Sequence, residues 1–384
     1  MSTSPPSGGA TRRLLFIDMF RGLAVLLMIE GHVFNSTILP VLRPTKQFHY
    51  LDLLHGMVAP SFIFISGFAF ALGLDRKWDS FLRLEKPFWM QTRRLLFVLA
   101  VAYWLHLPAW SFQTLLHSTR ETIYYFLRCD VLQLIALSLL FSLFLCVALR
   151  NQKLVIFTLL VLALVIVFVT PFLYYIDPRK YLPFPFSDYV NAMHGALFPL
   201  FPWAAYSFAG TCLCWIYLRV RNTDKEGRFF AFLAISGILL FIAAFILFYT
   251  PWQYYKYVDP ARSSPRHFMM KLGFVFFTLA GIWYYEQKKK PEKSILNRVG
   301  QESLLVYGLH LVLVYGASFM PHYLAKDVGQ VFTFAAAFAV SFGLMGLMIV
   351  AALGWHWMKA DHPSLSKAIF YAACAVYFIK FFLT

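Results

Sequence analysis

Charge is what this chain has least of. Only 14% of its 384 residues are Asp, Glu, Lys or Arg, where a soluble domain carries about 25%. With 60% hydrophobic residues and a mean hydropathy of +0.64, that scarcity excludes an ordinary soluble enzyme. It predicts an all-α polytopic transmembrane helix bundle, because helices satisfy their own backbone hydrogen bonds in lipid. Cysteine is sparse too. Cys129, Cys146, Cys212, Cys214 and Cys374 lie mostly within apolar segments, and the Cys212-x-Cys214 pair points to different helix faces. Zinc spacing is absent, so buried free thiols and no metal site are expected. No internal repeat or heptad array is visible, which argues against a transporter built from inverted halves.

Long apolar runs are plentiful. They read as eleven spans (within a range of ten to twelve) at about 14–34, 51–74, 93–114, 130–149, 154–175, 194–218, 229–249, 267–286, 302–320, 331–354 and 367–383. Together they make one domain over 14–384. The preceding Ser/Pro/Gly-rich segment 1–13, which ends in Arg12 and Arg13, is expected to be disordered and cytoplasmic. The run after it imitates a signal peptide, but Asp18 and Arg21 interrupt its apolar core and no small-residue cleavage pattern follows, so it reads as the first span.

The net charge of +16 does not indicate nucleic acid. Lys and Arg concentrate in alternate loops: Arg76, Lys77, Arg83, Lys86, Arg93 and Arg94; Arg150 and Lys153; Arg219, Arg221, Lys225 and Arg228; Lys288, Lys289, Lys290, Lys293 and Arg298. This is the positive-inside pattern. It predicts a multi-pass protein of the plasma (inner) membrane with a cytoplasmic N-terminus.

The first span contains an anomaly. Between Ile17 and His32 it carries Asp18, Arg21, Glu30 and His32, and each charge at bilayer depth costs about 2.5–3.5 kcal/mol on insertion scales. At about 100° per residue, Asp18, Arg21, Val25, Met28 and His32 share one helix face, and Arg21 and His32 stand about 16 Å apart along the axis. Glu30 lies about 200° around from His32 and faces another helix. A structural reading makes Asp18 and Arg21 a local i,i+3 ion pair, or lets Arg21 snorkel to the surface.

Later spans add polar groups. The second, His55-Gly56-Met57-Val58-Ala59-Pro60-Ser61 through Ser66-Gly67-Phe68, reads as a proline-kinked cavity wall with Ser61 and Ser66 on it, and Gly56 and Gly67 permit close helix approach. His49, Asp52 and His55 fall on the same side as His32. Asp130 and Gln133 open the fourth span and need partners inside a bundle. The sixth begins with a proline-broken aromatic segment, His194 to Trp203. In the ninth, Ser303, Tyr307 and His310 form a stripe that suits either a polar seam or plain interhelical hydrogen bonding.

Asp18-x-x-Arg21-Gly22, the eleven-residue step from Arg21 to His32, and Phe62-Ile63-Phe64-Ile65-Ser66-Gly67-Phe68 resemble the membrane acyltransferase superfamily. It includes the acyltransferase-3 proteins and the heparan-alpha-glucosaminide N-acetyltransferase-like proteins. Asp130-Val131-Leu132-Gln133 is similar to the second group's G-V-L-Q-R element, with Leu134 in place of its Arg. Phe198-Pro199-Leu200-Phe201-Pro202-Trp203 and Gly300-Gln301-Glu302-Ser303-Leu304 through Tyr307 and His310 resemble further family elements. The resemblance implies transfer of an acyl group, typically acetyl, from cytoplasmic acyl-CoA to a hydroxyl or amine on the far side, with membrane lipid and a glycan or glycolipid acceptor as partners. It also implies Arg21, Arg93 and Arg94 for the CoA phosphates, with Asp18 orienting Arg21, and His32 as general base acting directly or through an acyl-histidine. His49 and His55 stand as alternatives to His32. Asp130, Gln133, His49, His55 and His310 are expected to line the acceptor side, with Gln133 a donor to the developing oxyanion. The rival readings are a transporter or proton-coupled permease without covalent chemistry, and a non-catalytic envelope scaffold.

Overall fold

A computed structural model describes residues 14–249, 259–289, 294–320 and 322–383. The chain is 80% helical, and among the described residues no β-strand forms beyond isolated bridges such as Ile38 to Phe332. Segment 1–13, whose disorder was expected, lies outside the described residues, as do Lys290 and Lys293.

Twelve helices carry the architecture: α1 (Leu15–Thr37), α2 (Lys46–Asp75), α3 (Lys86–Leu105), α4 (Val131–Leu149), α5 (Gln152–Leu173), α6 (Leu200–Leu218), α7 (Glu226–Tyr249), α8 (Pro265–Lys289), α9 (Ile295–Gln301), α10 (Ser303–Tyr315), α11 (Phe334–Asp361) and α12 (Pro363–Leu383). Each of the eleven expected spans corresponds to one of these helices. Seven of them, α2, α4, α5, α7, α8, α11 and α12, are long and apolar enough to cross a membrane. The other four are α1, with Asp18, Arg21 and Glu30; α3, with Lys86, Arg93 and Arg94; α6, rich in small and aromatic residues; and α10, only 13 residues long. The count of eleven crossings therefore exceeds what the helices themselves support.

Boundaries moved for local reasons. The expected span 93–114 is the helix Lys86–Leu105, because Pro108 disfavours helical backbone just before it. The expected 302–320 ends at Tyr315, where Gly316 adopts φ +83 and its N–H caps the Val312 carbonyl at 2.9 Å. Helix α6 has non-helical backbone at Phe201, as the Pro199 and Pro202 pattern predicts.

Close packing rests on glycines, as it must where lipid offers no hydrophobic drive between helices. A side chain at Gly22 would collide with the Leu296 carbonyl, and one at Gly300 with the Asp18 carbonyl, so α1 and α9 meet backbone to backbone. Gly67 of α2 and Gly210 of α6 do the same against Ser207 and Phe64. Gly56, by contrast, has nothing near the position a Cβ would take, so it is Gly67 and not Gly56 that brings helices together. At one end of α1, Phe16 is buried edge-on against Phe68, Tyr217 and Phe230, with centroids 5.6–6.1 Å away.

The basic loops gather at that same end. Phe16 N–H donates to Glu286 at 3.0 Å, Tyr217 OH to Glu226 at 2.9 Å, Gln152 to Asp75 at 2.9 Å, and Arg150 to the Leu82 carbonyl at 3.1 Å. Arg21 lies toward this end of α1 and His32 toward the other.

Candidate active site

Helices α1 and α10 run side by side in the same direction and pair their polar residues in order. Arg21 Nη2 donates to Ser303 Oγ at 2.7 Å. Farther along, the His32 and His310 rings lie 5.3 Å apart between centroids. Tyr307 sits between these levels on α10, stacked on Phe62 and edge-on to His310. The stripe Ser303–Tyr307–His310 thus faces the stripe Arg21–Val25–Met28–His32 as a polar seam. Asp18 is buried beside the α9 crossing, with Gln301 Nε2 at 3.5 Å from its carboxylate.

Hydrogen bonds orient both imidazoles at the His32 end. Tyr315 Oη lies 3.1 Å from His32 Nδ1 and 3.4 Å from the His32 carbonyl, and so holds the ring in place. His310 Nδ1–H donates to the Val306 carbonyl at 2.7 Å, and its buried Nε2 has no hydrogen-bond partner. A neutral His310 therefore carries its proton on Nδ1, which leaves Nε2 as its basic nitrogen.

Two carboxylates complete this end. Glu30 faces α2, where His55 Nε2 is 3.6 Å away, and Gly31 lets the His55 ring approach closely. Asp130 caps α4 through Val131 N–H at 2.6 Å and accepts from His106 Nε2 at 3.0 Å, while His106 Nδ1 donates to the Ala102 carbonyl at 3.0 Å. With an acceptor on each nitrogen, His106 is an imidazolium clamp rather than a base. Asp130 and His55 both lie within electrostatic reach of His32.

Gln133, one turn inside Asp130, is fully buried with neither side-chain atom hydrogen-bonded. An orphaned buried amide costs about 1–3 kcal/mol, a cost that a bound polar partner removes.

Other expected residues do not join. His49 is exposed on the first turn of α2. Arg93 and Arg94 are exposed on α3, and among the described residues neither makes a hydrogen bond or ion pair, so the structure does not bring them to Arg21. Solvated α3 cations need no partner, which spacing alone does not reveal. Ser61 and Ser66 bond back to the Met57 and Phe62 carbonyls at 2.7 Å, so their hydroxyls serve the helix rather than line a cavity. Sequence reasoning also missed His106 and Tyr315. Asp130's need for a partner was the available signal for His106, whereas nothing local distinguished Tyr315.

A family profile described as heparan-alpha-glucosaminide N-acetyltransferase, catalytic, matches residues 13–243, more than half of the chain. The match takes in α1 to α6 and most of α7, and with them Arg21, His32, His55, Asp130 and Gln133. No curated protein matches the chain.

Proposed function

The chain belongs to the heparan-alpha-glucosaminide N-acetyltransferase catalytic family, and from that premise we propose that it moves an acetyl group between opposite ends of the α1–α10 seam. It is a multi-pass membrane protein with an acetyltransferase domain. The donor in this reading is acetyl-CoA, anchored at the basic, cytoplasmic end where Arg21 sits. The acceptor is a hydroxyl or amine of a glycan or glycolipid that reaches the His32 end from outside a plasma (inner) membrane. What carries the reading is the double registration of Arg21 on Ser303 and His32 beside His310, a cation at one level and two imidazoles at another.

The chemistry follows from those groups. A guanidinium is always charged and matches phosphate oxygens with a planar fork, so Arg21 suits the donor's anionic part. His32 Nε2 takes the proton from the acceptor hydroxyl or amine as its oxygen or nitrogen bonds to the thioester carbonyl carbon. The carbon–sulfur bond then breaks and the CoA sulfur leaves, with the proton returned to it from His32. Negative charge on the carbonyl oxygen needs a fixed donor, and we assign that role to the Gln133 amide, which is buried without a hydrogen-bond partner. Tyr315 hydrogen-bonds to His32 Nδ1 and holds the ring in place. His310 and His55 are the neighbouring imidazoles, the first in direct ring contact.

Membranes containing the protein, incubated with labelled acetyl-CoA and an envelope glycan extract, test this reading against a permease. Free CoA appearing together with label in the glycan supports it. Uptake of a solute without thioester cleavage would overturn it.

A further inference from the structure

At the Arg21 end the joint between α9 and α10 holds a buried carboxylate that the chemistry above leaves unused. Glu302 is the one residue between the two helices and is only 6% exposed. Lys359 Nζ donates to it at 2.6 Å and His356 Nδ1 lies 3.3 Å away, both from the last turns of α11 and one helical turn apart. Their side chains are partly exposed while the carboxylate is not. The next residue, Ser303, accepts the hydrogen bond from Arg21. A carboxylate thus stands one peptide unit from the serine that seats the guanidinium.

Opposite charges attract strongly where water is scarce. Left uncompensated, Glu302 would compete with an incoming phosphate for Arg21.

We propose that Lys359, with His356 beside it, is the counter-charge that holds Glu302 on α11 and so keeps the Arg21 guanidinium directed at an anionic, phosphate-bearing donor. Lys359 and Glu302 are positioning residues in this scheme; neither touches the donor. The proposal rests on the reading of Arg21 as the donor's anchor. It adds residues from the C-terminal part of the chain, beyond the 13–243 stretch that matches the family.

A charge-deletion cycle tests it on the purified full-length protein. Acetyl-CoA affinity is measured for Lys359→Met, Glu302→Gln, the double variant and Lys359→Arg, with the unfolding midpoint of each recorded alongside. Lys359→Met should weaken acetyl-CoA binding about tenfold, because it removes the permanent cation and leaves Glu302 with only His356 beside it. Glu302→Gln and the double variant should bind within about twofold of the parent, and Lys359→Arg should as well, since none of them leaves an uncompensated carboxylate beside Ser303. Recovery in the double variant, with Lys359→Met still unfolding at the parent's midpoint, is the decisive result, since a merely structural ion pair changes affinity only through a lowered midpoint. A double variant as weak as Lys359→Met would overturn the proposal, and so would normal binding by Lys359→Met. If Lys359→Met does not fold, Lys359→Gln takes its place in the cycle. Arg21→Ala is run in parallel to separate the two claims. Unchanged affinity there would overturn the donor reading and this proposal with it, whereas weakened binding there with normal binding by Lys359→Met would overturn this proposal alone.

Discussion

His32 of α1 and His310 of α10 lie with ring centroids 5.3 Å apart, each with Nδ1 committed to a fixed partner, Tyr315 for one and the Val306 carbonyl for the other. Two imidazoles oriented this way present their basic nitrogens without competing for the same hydrogen bond. Tyr315→Phe removes the hydrogen bond that orients His32 and leaves the ring packing in place. Acetyl transfer should fall by about tenfold to a hundredfold, within the range that loss of a well-poised base allows. Acetyl-CoA affinity should hold, and steady-state kinetics on the purified variant separate the two effects.

Arg21→Ala should weaken acetyl-CoA binding while the protein still folds. A hydrogen bond to a charged group is worth about 1.5–3 kcal/mol, roughly a tenfold to hundredfold change in affinity. Arg21→Lys should recover only part of it, because an ammonium lacks the planar fork. Ligand-induced shift of the unfolding midpoint, titrated with acetyl-CoA, reads both variants.

Gln133→Leu should separate stability from function. The amide is fully buried with no hydrogen-bond partner for either atom, so an apolar residue of similar size removes a desolvation cost and the unfolding midpoint should stay level or rise. Turnover should fall by about 10²–10³, as when a single oxyanion donor is lost. A variant that is both less stable and fully active would contradict the assignment.

The glycine contacts give a paired test of the fold. Gly67→Ala drives a methyl into the Ser207 carbonyl, whereas Gly56→Ala meets nothing within 4 Å. The first should cost about 1–3 kcal/mol as overpacking does, and the second should be close to neutral. Thermal unfolding in detergent distinguishes them.

The loop between α5 and α6 should respond to acid. The Asp177 carboxyl is held below its usual range, first by the hydrogen bond from His194 at 2.7 Å and then by the Arg179 N–H at 3.0 Å. A depressed folded-state value means its contribution is present above the unfolded carboxylate value of about 3.9 and is lost as pH falls through the folded value. Protease sensitivity of residues 177–194 should therefore rise only below about pH 4, and Asp177→Asn should abolish that pH dependence.

Much of this was legible because periodicity survives in membrane helices even when charge is rare. The Asp18–His32 stripe and the Ser303–His310 stripe both follow from the 3.6-residue repeat, and the structure sets them face to face. Glu30, placed on the opposite face by the same arithmetic, meets His55 of α2. Contacts that cross between distant segments were not legible. His106 meets Asp130 across a loop, and Lys359 reaches Glu302 from a different helix; no spacing rule encodes either. Gly56 and Gly67 look alike in sequence, yet only Gly67 faces a neighbour's backbone. Arg93 and Arg94 were assigned by charge alone, and charge does not say which side of a helix faces the bundle.

The most direct measurement compares His32→Ala with the parent protein in acetyl transfer from acetyl-CoA, with donor affinity measured on the same preparations. Transfer reduced by about 10²–10⁴, the range for a general base, with acetyl-CoA binding unchanged, is the expected result. Full transfer by His32→Ala with unaltered kinetics would contradict it and move the chemistry to His310 or His55.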